Sequence, residues 1–198
     1  MYEVIDLSAK EVEALLNTAE DYFNDFKSKQ IAPNKLQETF VAFANADGGN
    51  VYIGIEDAAS HRERLSGFNE PEEANAIIAT LLESTNPAVE NVEMEYLKTP
   101  KNGLILHIDI PKSPKVHYTA SGDCFLRNNA QKLKIKGERI TQLSYSKGAE
   151  PYEKKAVDIV EVQDILNSEY YVDYRRRIGT SQTPEVFLKK TTAFNKER

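Results

Sequence analysis

The sequence predicts an α+β domain in which helices pack on a mixed, mainly antiparallel sheet. Segments with helical periodicity and segments with strand alternation both occur, but they lack the regular strand–helix–strand repetition that parallel α/β folds require. Short glycine-containing turns also connect strand segments directly, which is typical of β-hairpins. These two observations together favour the α+β class.

Four helices are predicted from apolar residues at helical spacing and from residues that start or stop helices. Ser8 and Glu11 have the spacing of a capping box before the first helix, and prolines start the second and third. Gly48 and Gly49 are predicted to end the second helix. The predicted helices begin at Ala9, Pro33, Pro71 and Glu138.

Strand segments are predicted from alternating polar and apolar residues and from runs rich in β-branched and aromatic side chains. They cover residues 22–27, 51–55, 92–97, 104–110, 116–119 and 124–127. The turn at residues 99–103 predicts one hairpin, and the turn at residues 120–123 predicts a second. Val51, Ile53 and Ile55 are predicted to share the buried face of their strand.

Composition limits the classes of function. The chain has 198 residues and a formal net charge of −6. This charge argues against a protein that coats nucleic acid through overall positive charge, although a local basic patch can still bind phosphates. The single cysteine, Cys124, excludes an intrachain disulfide and is interpreted as a small apolar strand residue. The sequence lacks a membrane-spanning apolar run and the features of a signal peptide, so we expect a soluble cytoplasmic protein.

The most informative segment, residues 43–57, contains three glycines and joins an apolar helix end to a buried strand. Gly48 and Gly49 allow the backbone to turn tightly and to approach another backbone closely, and Gly54 leaves a gap on one strand face. Asp57 emerges where this strand ends. Because strand ends are common ligand sites in α/β sheets, we expect chemistry at this point.

Three carboxylates are candidates for that chemistry. If the strand at residues 22–27 lies beside the strand at residues 51–55, Asp25 comes near Asp57, and Glu20 from the preceding turn completes a cluster. Like charges held close together raise each other's pKa unless a divalent cation or a lysine neutralises them. Lys27, on the same strand face as Asp25, either supplies that neutralising charge or binds a phosphate.

The motifs resemble those of the Schlafen-type Alba-like (AlbA_2) family, whose members include bacterial regulators described as DNA-binding proteins or divergent ATPases. The resemblance covers residues 8–155 and follows the order of the family's motifs. The matching elements are Glu20, Asp25-Phe26-Lys27, the glycine segment at 42–57, the hairpin at 114–127 with Arg127, and Lys147-Gly148 with Glu153. The resemblance implies a Schlafen/Alba-like fold.

The same resemblance implies two functions. In nuclease members, the acids at the positions of Glu20, Asp25 and Asp57 form a metal-dependent site that cleaves RNA. By resemblance these three would hold Mg²⁺ or Mn²⁺, with Lys27 beside them as a further catalytic residue. Asp25 stands where a glutamate is more usual, and its shorter side chain changes the expected metal geometry. Many relatives are described only as nucleic-acid-binding regulators, so binding of RNA or DNA is our first expectation and a metal-dependent endoribonuclease is the alternative.

Basic residues after residue 126 are candidates for phosphate contact. The predicted nucleic-acid-binding residues are Lys27, Arg127, Lys132, Lys134 and Lys136. For Arg127, a salt bridge with a carboxylate is an equally open interpretation.

Other side chains offer competing interpretations. Tyr118 and Phe125 stack bases if exposed, although packing across a hairpin is the commoner role. His61, His107 and His117 are of the residue type most used as a general base, but their spacing fits no catalytic motif and favours structural roles. A third function, a protein-interaction module without nucleic-acid contact, also stays open.

The chain is predicted to have two parts. Residues 1–155 form the Alba-like domain, and residues 156–198 form a helical or linker segment that leads to a domain outside this chain. In such a fragment, Phe187, Leu188 and Phe194 would be apolar residues in need of a partner surface, and a homo-oligomer through this segment is one solution. The expected context is a bacterial regulator or defence protein.

Overall fold

A computed structural model describes residues 2–57, 63–83, 85–101, 103–148 and 161–191. The chain divides into two compact units, Met1–Ala149 and Glu150–Arg198. The predicted domain boundary at residue 155 lies outside the described residues, as do His61, Glu153 and Phe194.

The described part of the first unit contains seven strands, four α-helices and one 3₁₀-helix. The strands are β1 (Glu3–Asp6), β2 (Asn24–Lys27), β3 (Gly48–Ile53), β4 (Glu93–Lys98), β5 (Leu104–Pro111), β6 (Cys124–Asn128) and β7 (Gln131–Ile135). The helices are α1 (Ala9–Asn17), α2 (Pro33–Asn45), α3 (Asn75–Glu83) and α4 (Glu138–Ser146). The 3₁₀-helix Pro71–Ala74 precedes α3, so the third predicted helix starts as a tighter turn.

Five strands form one sheet in the order β1-β4-β5-β3-β2, and β6 and β7 form a separate hairpin. The β1–β4 and β2–β3 pairs are parallel. The other pairs, β3–β5, β4–β5 and β6–β7, are antiparallel. The predicted α+β class with a mixed sheet is confirmed, and the five-stranded sheet has two antiparallel and two parallel pairs.

Helices cover both faces of the five-stranded sheet. Leu36, Phe40 and Phe43 of α2 pack with residues of α3 and with Val51 and Ile53 of β3 in the main core. On the other face, Leu15 and Leu16 of α1 pack against a smaller cluster, which contains Phe26, Ile55, Leu97 and Ile105. The predicted capping box forms, since Ser8 and Glu11 exchange hydrogen bonds at the start of α1.

Ile55 departs from its predicted face. Val51 and Ile53 belong to the main core, whereas Ile55 belongs to the cluster under α1. Gly54 has φ +110°, and the N–H groups of Gly54 and Ile55 both donate to the Lys27 carbonyl oxygen. This arrangement is a β-bulge, which ends the alternation and rotates the following side chain to the opposite face.

The second predicted hairpin is wrong in one strand. β6 pairs with β7 through a two-residue turn at Asn129 and Ala130, in which Asn129 has φ +52°. Residues 116–119 form no strand, and Tyr118 makes an isolated bridge with Asn86. β7 was not predicted, although the alternation of lysine with Leu133 and Ile135 is typical of a strand.

β1 is missing from the sequence prediction. All four of its residues are exposed, so they show no apolar face. A short, exposed edge strand carries little of the alternation from which strands are predicted.

The second unit contains α5 (Val162–Leu166), α6 (Glu169–Ile178) and α7 (Pro184–Thr191) in its described part. Tyr171, Phe187 and Leu188 are buried together, with Ile165 and Leu166 against them. This corrects the expectation that Phe187 and Leu188 would lack a partner surface within the chain. In the part of the chain that the structure describes, no helix is both long and apolar enough to cross a membrane.

Candidate nucleic-acid interface

The candidate site begins where the chain between α1 and β2 returns to the edge of the sheet. β2 is an edge strand, so one side of its backbone faces away from the other strands. The Phe26 N–H donates to Glu20 Oε1 at 3.1 Å. Asp21 Oδ1 accepts the N–H groups of Phe23 and Asn24 at 2.8 and 2.7 Å. These hydrogen bonds hold the pKa of the Asp21 carboxyl below its usual range, and the bond from the Phe23 N–H has the largest effect.

Asp25 and Arg127 form a buried ion pair behind this edge. They are only 2% and 4% exposed. Nη1 and Nη2 of Arg127 lie 3.2 and 3.1 Å from Asp25 Oδ1. Nη2 also donates to the carbonyl oxygens of Asp21 and Asn24, and the guanidinium lies 4.5 Å from the centroid of the Phe43 ring. Arg127 therefore ties β6 to β2, which supports the salt-bridge interpretation of this residue.

Lys27 lies between two of the predicted carboxylates. Its Nζ is 2.6 Å from Asp25 Oδ2 and 3.7 Å from Glu20 Oε1. It also donates to the Phe26 carbonyl oxygen at 3.0 Å. Lys27 places one positive charge between the two acids, which supports the counter-charge interpretation.

An open groove of about 580 Å³ brings Glu20 and Asp57 to one surface. It is lined by Leu16, Asn17, Thr18, Ala19, Glu20, Phe26, Asp57 and Arg64. Asp25 is not part of this lining. The structure thus places two of the three predicted acids on the same groove and buries the third.

Arg64 forms part of the groove wall and is anchored by neighbouring groups. Its Nε donates to the Glu56 carbonyl oxygen at 3.1 Å, and its guanidinium lies 5.6 Å from the centroid of the Phe26 ring. The Glu56 carboxylate accepts hydrogen bonds from Ser28 Oγ at 2.9 Å and from Ser66 Oγ. These contacts fix Glu56, which precedes Asp57, and Arg64, which lines the same groove.

The arrangement of the carboxylates does not fit a shared divalent cation. Mg²⁺ and similar hard cations need several oxygens at about 2.0 to 2.6 Å. The oxygens of Asp25 are directed at Arg127 and Lys27. Within the described residues, no group of three or more His, Cys, Asp or Glu side chains is placed to hold a metal ion.

The adjacent glycines at the start of β3 allow the close approach on which this geometry depends. Gly48 and Gly49 have φ +82° and +153°. A Cβ at Gly48 would lie 2.5 Å from the Ile110 carbonyl oxygen, and a Cβ at Gly49 would lie 2.5 Å from the Phe43 ring and 2.6 Å from the Phe23 carbonyl oxygen. Side chains at these positions would push β3 away from β2 and β5.

Lysines gather beside the β2 edge at the start of α2, and we call Lys27, Lys35 and Lys132 the lysine surface. Lys132 Nζ donates to the Lys35 carbonyl oxygen at 2.8 Å. The Glu38 carboxylate lies 3.0 Å from Lys35 Nζ and 3.1 Å from Lys132 Nζ. Burial lowers the pKa of Lys132, and the nearby positive charges of Lys27 and Lys35 lower it further. The Glu38 carboxylate raises this pKa but does not cancel the effect of burial.

The other predicted nucleic-acid contacts lie along the same hairpin. Lys134 Nζ is 2.6 Å from Asp123 Oδ2 at the surface, and Lys136 is exposed after the end of β7. Phe125 is buried against Val41 and Ala42 of α2, so it packs in the core rather than stacking bases.

Comparisons with known proteins identify the domain. The sequence profile of the family described as Schlafen, AlbA_2 matches residues 20–136, which is more than half of the chain. The chain belongs to the Schlafen AlbA_2 family. No curated protein sequence matches it.

A solved structure shares the fold of this AlbA_2 chain. It is the DIP2311 protein from Corynebacterium diphtheriae, which superposes with a TM-score of 0.50 at 15% sequence identity. The match covers 91% of the present chain but 40% of that chain. At this identity the likeness concerns the fold alone.

Asn45 is a structural residue of the AlbA_2 domain that was not among the residues predicted from the sequence. It is the last residue of α2 and is buried. Its Nδ2 donates to the carbonyl oxygens of His117 and Phe125, both at 2.9 Å, and its Oδ1 accepts the His117 N–H at 2.8 Å. Asn45 therefore fixes β6, and with it Arg127, against α2. The pattern in the sequence that could have indicated this role is a polar residue at the end of an apolar helix.

His117 has a structural role in the AlbA_2 domain. His117 is fully buried, its Nδ1 lies 2.7 Å from the Pro87 carbonyl oxygen, and its Nε2 lies 2.6 Å from Ser113 Oγ. Since a carbonyl oxygen only accepts, Nδ1 carries the proton and Nε2 accepts from the serine. Burial lowers the pKa of His117 and so favours this neutral form.

Lys147, part of the Lys-Gly motif in the resemblance, lies at the carboxyl end of α2. Its Nζ donates to the carbonyl oxygens of Ala44 and Ser113 at 3.0 and 2.6 Å. Burial, followed by the charge of Lys112, lowers the pKa of Lys147 to about 8. A cation at this end of a helix also interacts favourably with the helix dipole.

Proposed function

We propose that this AlbA_2 domain binds nucleic acid and that the lysine surface contacts its phosphates. The observation that carries the proposal is the pairing of Lys35 and Lys132 with one carboxylate, Glu38, with Lys27 close enough for its charge to lower the pKa of Lys132. In this proposal the domain serves a bacterial regulator or defence protein in the cytoplasm.

The local charge balance at the lysine surface is less acidic than that of the whole chain. Lys27 and Arg127 share Asp25, and Lys35 and Lys132 share Glu38. With Glu20 and Asp21 included, four cations meet four carboxylates, so this edge is balanced in charge within a chain of net charge −6. Lysine is a common phosphate ligand, so the ammonium groups gathered here support phosphate binding.

The buried pair positions the surface rather than contacting the ligand. Arg127 lies opposite Lys132 in the β6–β7 ladder, so its bonds to Asp25 hold Lys132 beside Lys27. Lys134 and Lys136 follow along the same strand, and they extend the proposed phosphate track.

Binding is tested by fluorescence anisotropy with labelled RNA and DNA, each as single strand and as duplex. The variants are Lys35→Ala, Lys132→Ala and the control Lys98→Ala. Lys98 is matched to Lys35, because the two side chains are 59% and 60% exposed and each pairs with an acid. Lys98 is on β4, close to the opposite edge of the sheet.

We expect Lys35→Ala and Lys132→Ala each to weaken binding about tenfold, which corresponds to about 1.4 kcal/mol. Each should also reduce the slope of log affinity against log salt by about 0.7 to 0.9, since one phosphate contact is lost. Lys98→Ala should bind as the unaltered protein does. The proposal fails if no nucleic acid binds at low salt, or if Lys98→Ala is equally weakened.

A second candidate function is cleavage of the bound strand, and it is favoured by the position of Glu20 and Asp57 on one groove beside Arg64. The test is incubation of RNA with the protein, with Mn²⁺ or with EDTA. Cleavage that Asp57→Ala abolishes would support a ribonuclease. Intact RNA in every condition would leave binding as the function.

A further inference from the structure

Phe23 presents an aromatic ring to solvent at the start of the β2 edge. The residue is 50% exposed, whereas Phe26, three residues later, is buried. The Phe23 ring contacts the neighbouring Tyr22 edge-on, with 4.9 Å between the ring centroids. Single exposed apolar residues are common. Whether Phe23 has a function therefore depends on its backbone contacts and on the charged groups near it.

The backbone that carries the ring is held firmly. The Phe23 carbonyl oxygen accepts the Asn50 N–H at 2.7 Å, and the Phe23 N–H donates to Asp21 Oδ1 at 2.8 Å. Gly49 packs directly on the same carbonyl group. A ring on a fixed backbone loses little freedom when a flat ligand stacks on it.

Cations adjoin the aromatic pair. Tyr22 Oη donates to Asp47 Oδ2 at 2.9 Å, and Lys112 Nζ lies 2.7 Å from Asp47 Oδ1. Lys112, followed by Tyr22, holds the pKa of the Asp47 carboxyl below its usual range, and Lys147 acts in the same direction from farther away. The Lys112 side chain, which pairs with Asp47, is largely exposed.

We propose that Phe23 stacks on an unpaired base, so that the ligand of this domain is a single-stranded segment running along the β2 edge. This inference rests on the proposed function. Phe23 is four residues from Lys27, about 13 Å at about 3.3 Å per residue of strand. A few nucleotides span this distance, with a base on Phe23, one phosphate near Lys112 and others on the lysine surface.

The stacking chemistry selects single strands. Every base has a flat face that an aromatic ring can cover, so stacking tolerates many sequences. In a duplex those faces are already covered by neighbouring bases. A surface ring beside basic side chains therefore distinguishes unpaired from paired nucleic acid.

Tryptophan fluorescence provides a direct test, because the chain contains no tryptophan. Phe23→Trp places a single reporter at the proposed contact. The control, Tyr2→Trp, places it next to β1 at the opposite edge of the sheet, where Tyr2 is 40% exposed. We expect single-stranded RNA or DNA to quench the emission of Phe23→Trp and not that of Tyr2→Trp, and duplex to quench neither.

Affinity gives an independent readout. Phe23→Ala should weaken single-strand binding about tenfold in the anisotropy assay, and it should leave duplex binding unchanged. Unchanged emission of Phe23→Trp while the strand is bound overturns the stacking and leaves the proposed function standing. Equal losses for single strand and duplex overturn it as well. If the unaltered protein binds no nucleic acid, both proposals fail together.

Discussion

At the residue scale, carboxylates in this domain repeatedly hold two cations each. Asp25 on β2 and Glu38 in α2 have this role. The arrangement concentrates cations beside β2 in a chain whose total charge is negative. The cost of burial differs between the two carboxylates, because only Asp25 is deeply buried.

The buried pair is expected to govern stability more than binding. Arg127→Met leaves the buried Asp25 with Lys27 as its remaining cationic partner in the described residues, and removing one partner of a buried ion pair costs up to about 3 to 5 kcal/mol. The free energy of unfolding, measured with urea and circular dichroism, should fall by up to that amount. Lys134→Met, which breaks the surface pair with Asp123, should cost at most about 1 kcal/mol. Unchanged stability with lost nucleic-acid binding would instead make Arg127 a phosphate ligand.

The titration of Lys147 gives a pH-dependent stability with a defined sign. Its pKa is about 8 in the folded protein, against 10.5 for an ordinary lysine. Between these values the unfolded chain binds more protons than the folded one, so this residue's contribution to stability rises with pH across the window. Below pH 8 both states are protonated and the contribution is constant.

Lys147→Met should therefore lack this rise. Urea unfolding at several pH values between 8 and 10.5 gives the free energy of unfolding of the unaltered protein and of the variant. In the difference between these two free energies, the contributions of groups that titrate in both proteins cancel. The exposed Lys115, which pairs with Glu90, provides the control Lys115→Met. A difference for Lys147→Met that does not change with pH would contradict the assignment.

At the scale of elements, the connection from α2 to β3 determines where β2 lies. Gly49 of β3 packs on Phe43 of α2 and on the Phe23 carbonyl group, so α2, β3 and the start of the β2 edge meet at a position without a side chain. The carboxyl end of α2 is also held there by Lys147. The site depends on this junction.

Gly49→Ala is predicted to disrupt the junction. The new Cβ would lie 2.5 Å from the Phe43 ring, so the variant combines overpacking with a backbone conformation that alanine rarely adopts. Gly122→Ala is the matched control, because Gly122 also has positive φ, +81°, but open space around its Cα. We expect Gly122→Ala to cost about 1 to 2 kcal/mol and Gly49→Ala clearly more, measured as urea unfolding free energies. Equal losses would show that backbone conformation alone matters.

The sequence predicts local features of these elements better than their distant partners. The starts of three α-helices and the glycine turn follow from capping and spacing, which act over a few residues. The partner of Arg127 depends on β6 packing beside β2, about a hundred residues earlier in the chain, and no local pattern reports that contact. For the same reason Glu20 and Asp57 were expected beside Asp25, whereas the structure turns Asp25 away from their groove.

At the scale of the whole molecule, the family match and the candidate interface both lie within the first unit. The second unit has its own small core, but α6 also carries exposed apolar side chains. Tyr170 is 90% exposed, and Tyr174 and Ile178 follow it at intervals of four residues. Such spacing places the three on one helix face, which suits the homo-oligomer predicted through this segment.

Removal of residues 150–198 should separate nucleic-acid binding by the first unit from self-association through α6. The truncated chain keeps the sheet, the lysine surface and Phe23, so we expect circular dichroism to report a folded unit and anisotropy to report unchanged affinity. Sedimentation should show self-association of the full chain and a monomer after truncation, because the apolar face of α6 is lost. Loss of folding on truncation would mean that the first unit needs the second for stability. Self-association that survives truncation would assign the oligomer to the first unit instead.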